Sequence, residues 1–248
     1  MKNKLEKNLN ILISFKSINE ISEECLSYVD ILDLKNPDKG AIGSWEIKNL
    51  KEVVSKFSSK IKISATLGDE KEVYKILEKL ELFDLLKLDY IKFGVFVENE
   101  NGLNRLLKSV SDLRCKTELV PVVFVENSFI RKYLISDISI FKKYGFNFLL
   151  LDTYLKELGN LSDFCSRNYL TNLINNSLDL KLNIGLAGKL NISNIPQLVN
   201  LKPKIMGFRS AVCEHEKRNL KISITKLKKL HYSIISSKRH AMDTAGAW

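Results

Sequence analysis

The 248-residue sequence predicts an α/β fold, a closed TIM (β/α)8 barrel in a single domain. Three observations predict it. Eight short apolar runs, rich in β-branched residues, alternate with amphipathic segments. The runs start roughly twenty to thirty-five residues apart, the length of one strand-plus-helix unit. No Gly-rich dinucleotide fingerprint follows any run, which weighs against an open doubly wound sheet.

The strand candidates, in order, are Asn10–Phe15, Asp30–Leu34, Lys62–Leu67, Tyr90–Val95, Glu118–Val125, Phe146–Leu151, Leu182–Ala187 and Ile205–Phe208. Near-continuous apolar strands suit a parallel sheet covered on both faces. Between them, apolar residues recur at helical spacing. Ile18–Tyr28 carries Ile18, Ile21, Cys25 and Tyr28 near one face, with Ser17 as a cap candidate. Trp45–Phe57, Lys71–Leu86 and Gly102–Leu113 repeat the pattern, and Ile130–Tyr144, Asn168–Ser177, Ile195–Leu201 and Ile222–Leu230 complete it. The barrel is assigned to residues 9–231. Residues 1–8 read as a basic N-terminal extension and residues 232–248 as a C-terminal tail.

Composition narrows the function classes. A hydrophobic fraction of 45% and a charged fraction of 27% fit a large core and exclude a disordered chain. No stretch of about 18 apolar residues offers a membrane span. Met1 to Phe15 lacks an apolar segment ending in a small-residue cleavage site, so no secretory signal is expected. Cys25, Cys115, Cys165 and Cys213 form no close pair and read as free thiols of a reducing cytoplasm. His215, His231 and His240 stand in no cluster of zinc spacing, so no metal is expected. The net charge is +10, but residues 1–8 contribute +2 of it and residues 214–248 contribute +5. The charge sits largely at the ends rather than on a folded face, which argues against a nucleic-acid partner.

Chemistry in such a barrel belongs at the C-terminal ends of the strands. Asp33 and Lys35 end the second strand and, two apart, share a face. Lys92 interrupts the fourth strand, Asp152 closes the sixth, and Lys156 follows it by four residues. Burying an ammonium is costly and depresses a lysine's pKa. A depressed lysine is what imine chemistry needs, because only the neutral amine attacks a carbonyl. The plainer reading is a set of salt bridges at the barrel mouth. Buried ion pairs seldom repay their desolvation, so three lysines and two aspartates at three strand ends point to a site.

Two further segments suit an anion. Gly185-Leu186-Ala187-Gly188-Lys189 ends the seventh strand and Gly207-Phe208-Arg209-Ser210 ends the eighth. The loops after these strands are the usual phosphate site of the fold. Gly188 and Gly207 allow close backbone approach, and Lys189, Arg209 and Ser210 add charge and hydrogen bonds. The loop Asn36–Gly43, with Pro37, Gly40 and Gly43, reads either as a lid over the substrate or as an ordinary long connection.

Taken together, these segments resemble the (5-formylfuran-3-yl)methyl phosphate synthase family of methanofuran biosynthesis. The resemblance rests on Asp33-x-Lys35-Asn36-Pro37 with Gly40-x-x-Gly43, and on Asp89-Tyr90-Ile91-Lys92-x-Gly94. It continues through Leu151-Asp152-Thr153 with Lys156, Leu186-Ala187-Gly188 and Gly207-x-Arg209-x-Ala211-x-Cys213, over about Asn10 to Lys229. The chain departs from the family in an unusually apolar fifth strand and in Ser210 where the family has Gly. After Cys213 it reads Glu-His-Glu-Lys-Arg, with Arg218 still in place.

The resemblance implies a lyase of the class I aldolase type, acting on carbon–oxygen bonds of phosphates. It would join two molecules of glyceraldehyde 3-phosphate into a furan aldehyde phosphate, with loss of phosphate and water. It implies Lys35 as the Schiff-base lysine, Lys92 as proton acceptor, and Asp33, Asp152 and Lys156 as supporting acid–base and charge-positioning groups. No organic cofactor or metal is implied. The partner expected is a small phosphorylated aldehyde, with no membrane and no nucleic acid; homo-oligomerisation stays open. Two alternatives stand beside this reading. One is another imine-forming aldolase acting on phosphosugars. The other is a non-catalytic barrel that binds nucleic acid through its basic tails.

Overall fold

A computed structural model describes residues 9–245. Eight parallel strands close into a barrel in chain order, β1 pairing with β8. They are β1 (Asn10–Phe15), β2 (Ile31–Leu34), β3 (Lys62–Thr66), β4 (Tyr90–Val95), β5 (Glu118–Phe124), β6 (Phe148–Asp152), β7 (Asn183–Leu186) and β8 (Ile205–Phe208). Each lies within two residues of its sequence-predicted range. The TIM barrel expected from the alternation is the fold observed.

The helices are α1 (Glu23–Leu26), α2 (Ile47–Phe57), α3 (Val73–Asp84), α4 (Glu100–Asp112), α5 (Ser128–Ser136), α6 (Ser139–Lys143), α7 (Leu161–Phe164), α8 (Arg167–Asp179), α9 (Ile195–Val199) and α10 (Ile224–Ala245). None is long and apolar enough to cross a membrane among the described residues.

Side chains alternate along each strand. One set, including Ile13, Leu32, Ile63, Phe93, Val123, Leu151, Leu186 and Met206, packs outward into the main core beneath the helices. The other set points inward and changes character with height. Its floor is apolar: Leu12, Ile31 and Ile205 meet Tyr90 and Phe148, whose rings stack edge-to-face at 5.4 Å. Higher up, toward the C-terminal mouth, inward positions of β1 to β4 and β6 carry Ser14, Asp33, Ser64, Lys92 and Asp152, all buried, while β5 stays apolar with Val122 and Phe124.

The sequence reading needs correction where tertiary contacts override helical periodicity. The segment 18–28 is not one helix. A 3-10 turn at Ile18–Glu20 is followed by the short α1, and the capping side chain is Ser22, not Ser17. The chain bends there because the Glu20 carboxylate is drawn inward onto Lys16 N–H (2.8 Å) and the Arg209 guanidinium (2.6 and 3.0 Å). The stretch 130–144 divides into α5 and α6 at Asp137, whose carboxylate accepts from the backbone and hydroxyl of Ser139. The final helix, read as ending at Leu230, continues to Ala245 through most of the segment read as a tail. Leu227, Leu230 and Ile234 supply its fully buried stripe. The extension 1–8 and residues 246–248 lie outside the described residues.

The loop Asn36–Gly43 is clamped. Asn36 N–H donates to Gly43 O (2.8 Å), and the Asp69 carboxylate accepts from Ala41 and Ile42 N–H, each at 2.9 Å. A Cβ on Gly43 would stand 2.1 Å from Asn36 O, so the closure requires glycine. Ile42 is 1% exposed and packs with Val122, Phe124 and Leu150 over one side of the barrel mouth. The loop therefore acts as a fixed cap on that side. Asp69→Ala is expected to free it: amide exchange at Ala41 and Ile42 should accelerate by about 10- to 100-fold, the worth of a hydrogen bond to a charged acceptor. Hydrogen-exchange mass spectrometry of the loop peptide checks this.

Candidate active site

Two carboxylates organise the mouth. Asp33, from β2, is fully buried. Its Oδ1 meets the Lys92 ammonium of β4 at 2.6 Å and accepts from the Ser64 hydroxyl of β3 at 2.5 Å. Its Oδ2 accepts from the Ser14 hydroxyl of β1 at 2.7 Å. Four successive strands thus converge on one carboxylate. The second, Asp152 at the end of β6, stands between two lysines. Its Oδ1 contacts Lys156 Nζ at 2.5 Å and accepts from Thr153 N–H at 2.7 Å, while its Oδ2 faces Lys35 Nζ at 3.7 Å. Lys156 also donates to the carbonyl and hydroxyl oxygens of Thr153.

The electrostatics follow from burial and count. Burial alone would raise the Asp33 carboxyl, but the Lys92 and Lys35 charges and the Ser64 hydroxyl outweigh it and hold it below the usual range. Asp152 is likewise opposed by burial yet drawn down to about 2 by Lys156 and Lys35. Lys35 goes the other way. Burial pushes its ammonium down from 10.5 to about 8, and the like charges of Lys156 and Lys92 add to this against the pull of Asp152 and Asp33. An amine near pH 8 is appreciably neutral under physiological conditions and can act as a nucleophile.

Lys35, Lys92, Asp152 and Lys156 line a cavity open at the mouth, together with Gly188, Lys189, Gly207, Arg209 and Ser210. The structure therefore brings nine of the ten sequence-predicted site residues to one wall, with Asp33 directly behind Lys92. Gly188 has φ +95°, and a Cβ there would come within 3.0 Å of Thr153 N, so the β7 loop can lie against the β6 loop only as glycine. The exposed Lys189 ammonium donates to Lys156 O at 3.0 Å.

Of the two arginines at the mouth, Arg209, expected to contact an anion, has its donors spent within the fold. All five N–H donors of a guanidinium have partners at Arg209: Glu20 twice, and the carbonyls of Ser14, Leu220 and Arg218. Its side chain ties the β1 and β8 loops together and keeps no donor for a phosphate. Arg218, which sequence reasoning leaves without a role, lines the cavity half-buried. Among the described residues its side chain makes one hydrogen bond, from Nη2 to Gly40 O at 2.8 Å, and pairs directly with no carboxylate. A desolvated guanidinium with spare donors facing a cavity is an anion receptor. In the sequence it is one cation in a basic stretch, and only its place in the resemblance marks it out.

The 4-HFC-P synthase family model matches residues 11–231. The (5-formylfuran-3-yl)methyl phosphate synthase of Archaeoglobus fulgidus is 27% identical over 227 residues, covering 86% of this chain and 94% of that protein. The enzyme of that name from Methanocaldococcus jannaschii is 28% identical over 221 residues, covering 84% and 92%. Among solved structures, phosphoribosyl anthranilate isomerase from Thermus thermophilus superposes with a TM-score of 0.64 at 16% identity, over 92% of this chain and 98% of that one. A 3-hexulose-6-phosphate synthase gives 0.59 at 14%, over 91% and 99%. The structural likeness is one of fold alone.

A buried lysine held at about 8 opposes folding. Below pH 8 Lys35 is charged in both folded and unfolded chains, and its full desolvation cost is present. Between pH 8 and 10.5 the unfolded chain keeps a proton that the folded one has released, so stability rises with pH and the cost is relieved. Lys35→Met should accordingly be more stable than the parent by about 2–3 kcal/mol at pH 7. Urea unfolding at a series of pH values should show that gap closing toward pH 10.5.

Proposed function

The chain belongs to the 4-HFC-P synthase family, and from that premise we propose that it condenses two molecules of glyceraldehyde 3-phosphate into 4-(hydroxymethyl)-2-furancarboxaldehyde phosphate. Atoms balance if one phosphate and two waters leave. Lys35 is the nucleophile: its neutral amine adds to a substrate carbonyl, water departs, and the resulting imine draws electrons from the adjacent carbon so that a proton there becomes removable. Lys92 relays protons at that centre. As an ammonium beside Asp33 it protonates a leaving oxygen, and the amine so formed accepts a proton from carbon. Asp152 and Lys156 set the charge around Lys35.

The phosphate is assigned to the loops after β7 and β8. The Gly188 and Gly207 backbone, Lys189 and Ser210 form its cradle, with Arg218 as the buried counter-charge. Arg209 holds that cradle in shape through Glu20 rather than by touching the phosphate. The observation that carries the proposal is an amine lowered to about 8 on the wall of a cavity it shares with a guanidinium that has no carboxylate partner among the described residues.

Borohydride added with glyceraldehyde 3-phosphate should trap a mass increment on the Lys35 peptide. Lys35→Arg should keep the fold but form no adduct, since guanidinium makes no imine at this pH. Phosphate release with growth of a furan chromophore identifies the product. A trapped adduct without that chromophore would favour an imine-forming aldolase of another phosphorylated aldehyde. Arg218→Ala is expected to raise KM for glyceraldehyde 3-phosphate about 10- to 100-fold, the worth of a charge-assisted contact, as initial rates over a substrate series would reveal.

A further inference from the structure

Among the described residues, two buried side-chain polar atoms lack a hydrogen-bond partner, and one is Oε2 of Glu126. Leaving a buried carboxylate oxygen without a donor is unfavourable. The group must be held there by something its other oxygen does. That oxygen, Oε1, accepts from Tyr154 N–H at 2.6 Å and from Leu155 N–H at 3.0 Å. These two residues immediately precede Lys156. Glu126 itself follows β5, has no place on the cavity wall, and grips the β6 loop from the neighbouring strand.

The loop is held from other sides as well. The Tyr154 ring packs against Phe124 and Phe96 at 5.3 and 5.5 Å, and Lys189 donates to the Lys156 carbonyl. Only the Glu126 contacts fix the loop's backbone N–H groups just before the lysine. A lysine side chain has about 2 kcal/mol of rotamer entropy to gain by swinging into solvent. Holding its ammonium 2.5 Å from Asp152 therefore requires that its backbone stay put.

We propose that Glu126 is a positioning residue which, by clamping the backbone of Tyr154 and Leu155, keeps the Lys156 ammonium on Asp152 and beside Lys35. The consequence for the reaction rests on Lys35 being the imine-forming group. Lys35 is faced by Asp152 from β6, Lys156 from the loop, Lys92 from β4 and Asp33 from β2. If Lys156 leaves, Lys35 loses a like charge and Asp152 loses a competing cation. Both changes favour the ammonium and delay formation of the nucleophilic amine to higher pH.

Two substitutions separate reach from charge. Glu126→Gln keeps the length and an acceptor oxygen but removes the charge. Glu126→Asp keeps the charge but falls one methylene short. Lys35 is titrated in the folded protein, without substrate, by acetic anhydride labelling read on its peptide by mass spectrometry. The glutamine variant should titrate as the parent does. The aspartate variant should show a midpoint at least about half a unit higher, with kcat near pH 7 reduced about threefold or more and KM little changed. Glu126→Ala, which leaves both N–H groups to water, should move the midpoint as the aspartate variant does and serves if that variant fails to fold. An unmoved midpoint in the clamp-free variants, or a glutamine variant displaced as far as the aspartate one, overturns the proposal. Because the titration needs no substrate, failure of glyceraldehyde 3-phosphate to react would count against the imine reading alone.

Discussion

Lys35, Lys92 and Lys156 are packed against only two carboxylates, Asp33 and Asp152, inside the barrel mouth, and the rest of the site depends on that imbalance. Asp33 is satisfied by Lys92, Ser14 and Ser64. Asp152 has its short contact with Lys156 and only a longer one, 3.7 Å, with Lys35. Of these three lysines, Lys35 is the one without a close carboxylate. In water the shortfall would matter little, but here the inward side chains below are apolar and Ile42 seals one side above. With solvent removed, a missing partner lets burial pull the lysine's pKa down.

Such an arrangement opposes folding, so the surrounding loops must be tied down. The ties are carboxylates accepting backbone N–H groups, which are stronger than neutral hydrogen bonds. Asp30 and Asp89 accept from Ile11 and Ile63 at the strand entrances. Asp69 holds the loop after β2, Glu126 the loop after β6, and Glu20 with Arg209 joins the loops after β1 and β8. Asp69, Glu126 and Glu20, which read as ordinary loop polarity in the sequence, frame the mouth, while Asp30 and Asp89 tie the opposite end of the barrel.

Much of the fold was legible because its signals are local. The alternation in Asp33-Leu34-Lys35 places both charged groups on one face whatever lies opposite. The eight apolar runs mark the eight strands for the same reason. Elements were misread where a distant group intervened: Glu20 bends the first helical segment toward Arg209, and α10 extends beyond its apolar stripe. The roles of Arg209 and Arg218 could not be told apart from sequence, because a guanidinium's use depends on which acceptors the fold delivers to it.

The barrel, the strand ends that carry charge, and the family pattern in which Lys35 and Lys92 stand are legible along the chain. These follow from period, spacing and residue type, all properties of the chain read along its length. Folding settles which lysine lacks a close carboxylate, which arginine keeps donors toward the cavity, and that Glu126 reaches across to the loop of Lys156. Each of these is a choice of partner among groups far apart in the chain. Closure of the barrel and exclusion of water make that choice.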